Sequence, residues 1–201
     1  MIKAIIFDLG NVTLKFDNKI FLKKISKRTD KPITELDRII YRESGLPEQY
    51  ESGKISTDEF IRRCIDICGL DIAREEFIED YTHIFTPIKK TVNLIDKLLG
   101  KYKLALLSNT SELDYKYYSS TFEVVRLLKP MSLSYKVGIM KPAKKIFLDM
   151  LGKLKFKPEE CVFIDDAEEH AKAASELGIY GIQYISHDKL VSDLRELGVN
   201  I

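Results

Sequence analysis

The chain has 201 residues, 45% of them apolar and 31% charged, and its 32 basic and 31 acidic residues leave a net charge of +1. That balance excludes a general attraction to nucleic acid or to an anionic membrane. Three cysteines exclude a disulfide framework, and no apolar run reaches membrane-spanning length, so a cytoplasmic protein with one core and an inserted or appended subdomain is expected.

Residues 2–7, IKAIIF, are short, apolar and β-branched, the pattern of a strand buried on both faces of a parallel sheet. They run straight into Asp8, with Gly10 two positions on. From about Asp17 the spacing turns helical through FLKKIS, ITELDRIIYRES, STDEFIRRCIDICG and AREEFIEDYTHIF. Ser56 followed by Glu59 is a capping-box signature, and Gly69 closes that helix. Pro87 is placed to open the next helix, IKKTVNLIDKLLG, which ends at Gly100. KLALLSNT (103–110) is a second strand ending in Ser108 and Asn109, followed by the helix SELDYKYYSS. MSLSY (131–135) is the shortest strand signal, and a helix follows with Pro142 in its first turn. CVFIDD (161–166) is a fourth strand ending in Asp165 and Asp166, and Gly178 stops the helix AEEHAKAASELG. YGIQYIS (180–186) is a fifth strand and KLVSDLRELG a last helix. This alternation predicts an α/β fold, a doubly wound parallel sheet with a helical insertion after the first strand.

In an open parallel sheet, ligands bind beyond the carboxyl ends of the strands. Asp8, Ser108–Asn109 and Asp165–Asp166 all stand at such ends. A carboxylate there can attack phosphorus and hold it as an aspartyl phosphate. Because carboxylate and phosphate repel one another, a cation must lie between them, and Asp8 and Asp166 offer hard oxygens suited to Mg²⁺. Lys141, beside Pro142, is the best placed lysine to neutralise the remaining charge.

The motifs IIFDLGNV, LLSNT, GIMKP and FIDDAEEHAKAASELGI, in that order, resemble the haloacid dehalogenase superfamily of hydrolases, in the branch with a helical cap after the first strand. The stretch YESGKISTDEF resembles the cap of a group that includes a glucose-phosphate phosphatase and the amino-terminal phosphatase domain of soluble epoxide hydrolases. The resemblance implies a core from residues 1–14 and 89–201 and a mobile cap from 15–88. It implies Asp8 as nucleophile and metal ligand, and Lys141 ordering nucleophile and phosphate. Ser108 and Asn109 then contact phosphate, and Asp166 binds Mg²⁺ with Asp165 in support. The substrate implied is a small phosphate ester, with sugar phosphates the leading class.

One departure stands out. Most phosphatases of this family carry an aspartate two residues after the nucleophile, which protonates the leaving group, and here that position is Gly10, able to offer only a carbonyl to the metal. General acid–base help contributes ~10²–10⁴-fold. Three readings stay open: a phosphatase whose leaving group needs no acid or that uses a substitute acid, a metal-independent 2-haloacid dehalogenase, or a catalytically weak phosphate-binding or regulatory module. Asp17 is a candidate acid whose ordinary role is to cap the first insertion helix. His170 reads as lying on a helix face near the site, Cys64 and Cys68 as buried apolar groups, and Tyr115, Tyr117 and Tyr118 as packing residues.

Overall fold

The computed structural model describes all residues, Met1–Ile201. Seven strands occur in chain order: β1 (Ala4–Phe7), β2 (Leu14–Phe16), β3 (Phe85–Pro87), β4 (Lys103–Ser108), β5 (Met131–Leu133), β6 (Cys161–Asp165) and β7 (Tyr180–Gln183). Five of them form one parallel sheet in the order β5-β4-β1-β6-β7. The first strand is therefore central, and the chain winds first to one side of it and then to the other.

The continuous apolar runs follow from burial on both faces. Ile5 and Phe7 join Leu104, Leu106, Val162 and Ile164 on one face, covered by helices Lys89–Leu98 and His187–Glu196. Ala4 and Ile6 join Ala105, Leu107, Cys161 and Phe163 on the other, covered by Ile146, Phe147 and Met150 of helix Lys144–Leu154. Each valine, leucine, isoleucine, phenylalanine or methionine among them contributes about 1.5–3 kcal/mol by leaving water.

Between β2 and β3 run the helices Asn18–Ile25, Ile33–Asp37, Leu46–Glu51, Thr57–Cys68 and Arg74–Thr82, with a π-helical turn at Arg38–Glu43. They enclose an apolar cluster of their own, in which Phe21, Phe60, Phe77 and Tyr81 pack edge-on or stacked and Cys64 and Cys68 are buried. Ser56 Oγ accepts from the Glu59 N–H at 3.2 Å, and Gly69 (φ +60°) ends that helix in the left-handed region, as the capping signature requires.

Three local expectations are corrected. β2 and β3 pair antiparallel, Leu14 opposite Pro87 and Phe16 opposite Phe85, as a ribbon at the two ends of the helical block. At three residues each they are too short for a visible alternation. Pro87 thus belongs to a ribbon edge, where a missing N–H is tolerated, and the next helix starts at Lys89. Pro142 likewise precedes its helix, which starts at Lys144.

The helical block is latched onto the sheet-bearing part. Tyr50 Oη accepts from the Leu113 N–H at 3.1 Å and lies 2.9 Å from Thr57 Oγ1, which donates to Glu112 Oε2 at 2.7 Å. Beside it Gly53 (φ +67°) lies so close to the Tyr135 carbonyl that a Cβ would stand 2.3 Å from its oxygen.

Candidate active site

The crevice beyond the carboxyl end of β1 gathers the polar strand ends. Lys141 Nζ donates to Asp8 Oδ1 at 2.7 Å and to Asp165 Oδ2 at 2.5 Å, and the lysine is 4% exposed. Burial works against its charge, but the two carboxylates outweigh that and hold the ammonium above its ordinary range. Burial also pushes the Asp8 carboxyl up to about 6, against the pull of Lys141, with Asp165 adding to the rise. Asp165 is fully buried, yet donors from His170 and Lys141 hold it below the usual carboxylate range. His170 Nδ1 lies 3.0 Å from Asp165 Oδ1, which also accepts from the Ala167 N–H at 2.9 Å.

Backbone geometry holds these groups in place. Thr13 Oγ1 donates to the Asp8 carbonyl at 2.8 Å, anchoring the turn after β1. Asn11 sits at φ +54°, a conformation asparagine tolerates better than most residues, and its Nδ2 donates to Asp166 Oδ2 at 3.0 Å. Asn109 and Lys141 grip each other reciprocally. The Lys141 N–H donates to Asn109 Oδ1 at 2.8 Å, and Asn109 Nδ2 donates to the Lys141 carbonyl at 3.1 Å. Ser134 Oγ accepts from the Thr110 N–H and donates to its carbonyl, fixing the loop after β4.

Carboxylate oxygens of Asp8, Asp165 and Asp166 lie within 4.8 Å of one another. Ionised, they carry three negative charges against one on Lys141, and oxygen donors with that excess fit a hard divalent cation such as Mg²⁺.

Next to this cluster, between the sheet and the helical block, is a cavity of about 90 Å³. Gly10, Ser108, Asn109 and Thr110 line its floor, and Tyr41, Glu51, Tyr81 and Asp114 line its other walls. Asp17 is not among its lining residues; its carboxylate accepts from the Lys19 N–H at 2.9 Å and caps helix Asn18–Ile25.

The haloacid dehalogenase-like hydrolase family model matches residues 2–178. The chain belongs to that family. It is 32% identical to the D-ribitol-5-phosphate phosphatase of Bacteroides thetaiotaomicron, over 91% of this chain and 92% of the relative. It is 25% identical to a sesquiterpene phosphatase of Aspergillus oryzae, over 97% and 96%. Among solved structures, a haloacid dehalogenase family enzyme of B. thetaiotaomicron in complex with magnesium and inorganic phosphate superposes with a TM-score of 0.80 at 27% identity, covering 91% of this chain and 94% of that one. An L-2-haloacid dehalogenase of Xanthobacter autotrophicus superposes with a TM-score of 0.65 at 16% identity and shares the fold. The chain is thus a haloacid dehalogenase-type enzyme of the phosphoric monoester hydrolase class, and no helix in it is long and apolar enough to cross a membrane.

Within this family member the structure brings together Asp8, Lys141, Asp165 and Asp166 around one charge cluster, with Gly10, Ser108 and Asn109 on the adjoining cavity floor, and leaves the candidate acid Asp17 outside as a helix cap. Sequence reasoning missed Asn11, Thr13 and Ser134. It gave His170 no bond to Asp165, although its place five residues after that aspartate on a helix was a usable signal. It also missed Tyr41, Glu51 and Asp114, whose positions depend on how the helical block docks.

Proposed function

We propose that this hydrolase cleaves the monophosphate ester of a small sugar or polyol through an aspartyl phosphate on Asp8, with Mg²⁺ held by Asp8, Asp165, Asp166 and the Gly10 carbonyl. The observation that carries this reading is the buried Lys141 ammonium, bonded at once to Asp8 and Asp165 at the end of the central strand. It keeps the nucleophile oriented and leaves a positive charge where a phosphoryl group would arrive. A bound divalent cation supplies charge screening between carboxylate and phosphate.

In this reading an Asp8 carboxylate oxygen forms a bond to phosphorus while the ester P–O bond breaks, and the departing oxygen takes up a proton. Water then attacks phosphorus, releasing inorganic phosphate and restoring Asp8. Ser108 and Asn109 hold the phosphate oxygens. Residues 15–88 act as the cap, excluding bulk water and choosing the ester. The polar lining of the cavity, with Asn18, Tyr41, Glu51, Asn109 and Asp114 among its residues, supports a hydroxylated leaving group. The relative acting on D-ribitol 5-phosphate supports the polyol class.

Phosphate release from a pentitol 5-phosphate tests the proposal. Turnover with Mg²⁺ is expected to vanish with EDTA and return with added Mg²⁺, and Asp8→Asn is expected to lower kcat by at least 10³-fold. Full activity in EDTA would remove the metal from the scheme, and an active Asp8→Asn variant would remove the nucleophile.

A further inference from the structure

The cavity ends on two acidic side chains to which neither the charge cluster nor the reaction scheme gives a part. Asp114 is 8% exposed. Its Oδ2 accepts from Ser111 Oγ at 2.8 Å, but Oδ1 has no hydrogen-bond partner. Glu51 lines the same cavity and forms no ion pair, and Tyr41 joins them from the π-helical turn, a distortion that recurs at functional sites. The two carboxyls sit one residue beyond the latch on either side, since Tyr50 and Leu113 are themselves bonded. Docking of the helical block therefore sets both against the same space.

A buried oxygen without a partner carries a desolvation cost that an arriving donor removes. We propose that Tyr41, Glu51 and Asp114 form a subsite that reads the hydroxyl groups of the leaving alcohol, with Asp114 Oδ1 accepting from a substrate hydroxyl. This rests on the phosphatase reading above and names the part of the ester recognised away from phosphorus. The chemistry favours neutral hydroxyls over other groups. Burial raises Glu51 to about 8 and Asp114 to about 7, so near neutrality both hold protons to a substantial degree and can donate as well as accept. A hydroxyl answers both roles, whereas an ammonium can only donate.

The test compares kcat/KM for erythritol 4-phosphate, n-butyl phosphate and 2-aminoethyl phosphate in the wild-type enzyme. It then compares the first two in Glu51→Gln and Asp114→Asn. The wild type is expected to prefer the polyol ester over the alkyl ester at least tenfold, and each variant to shrink that ratio at least fivefold. Equal rates for the polyol and alkyl esters in the wild type overturn the subsite and leave the phosphatase reading standing. So does an unchanged ratio in both variants, or a preference for the amino ester. Absence of turnover of every ester overturns the phosphatase reading and the subsite with it. The wild-type comparison needs no variant, so the test survives if Asp114→Asn does not fold.

Discussion

At Gly10 the family's usual acid is absent, and the surroundings show what fills its place. A Cβ there would stand 3.0 Å from Phe16 Cε1 and 3.8 Å from Asp8 Oδ2. The direction a side chain would take is toward the nucleophile, and the Phe16 ring lies across it. Restoring the acid by Gly10→Asp is therefore expected to leave kcat/KM for an ester with a poor leaving group within about threefold of wild type. Combined with Phe16→Ala, the same aspartate gains room and should raise it at least tenfold, a part of the ~10²–10⁴ that acid–base help supplies. Steady-state kinetics on the two variants decide this, and a tenfold gain from Gly10→Asp alone would show that the ring gives way. Asp8, Ser108, Asp165 and Asp166 were legible beforehand because each stands at the end of an apolar run whose direction is fixed by the parallel sheet. Glu51 and Asp114 were not, because on paper each is one more acid on an amphipathic helix. Only docking sets them against one cavity.

Among elements, the decisive contact is between the segment 50–57 and the helical residues Glu112, Leu113 and Tyr135 that face it. The stretch YESGKIS carries the latch tyrosine, and its glycine meets the Tyr135 carbonyl at backbone distance. Gly53→Ala combines a steric clash at 2.3 Å with a side chain in the left-handed region, so the two backbones must separate. The expected outcome is a rise in KM of at least tenfold for a polyol monophosphate, the class proposed above, with a smaller rise in KM for p-nitrophenyl phosphate, which makes little use of the far wall. Equal losses on both esters would show that the glycine matters for folding and not for docking. The helices of this block were readable from their 3.6-residue period and from the Ser56 cap. The ribbon of β2 and β3 was not, since three residues carry no period and a proline favoured a helix start.

For the whole molecule, the two raised carboxyls couple stability to pH. The folded state holds protons on Glu51 up to about 8 and on Asp114 up to about 7, whereas their ordinary values are 4.5 and 3.8. Between about pH 4 and pH 8 these two carboxyls hold more protons in the folded chain than in the unfolded one, so they make stability fall as pH rises. Glu51→Gln should accordingly match wild type near pH 4 and exceed it at pH 8.5 by up to about 5 kcal/mol. Urea midpoints at the two pH values measure it, and a variant no more stable than wild type at pH 8.5 would count against the burial of a charge-bearing Glu51. The doubly wound architecture itself was plain in the alternation of strands and helices, because burial on both faces imposes unbroken apolar runs.

The β2–β3 ribbon has a consequence for how such a molecule can diversify. Antiparallel pairing brings the outgoing and returning chain side by side, about 4.8 Å apart. Seen from the sheet, the whole helical block is the loop of an unusually long hairpin. The entropy of closing a loop grows only with the logarithm of its length. One insert can thus be exchanged for another, longer or shorter, without disturbing the strand ends that hold Asp8 and Asp165 or the turn that holds Lys141. On the proposed reading of residues 15–88 as the cap, new alcohol preferences would be acquired by transplantation while the phosphorus chemistry is inherited unchanged.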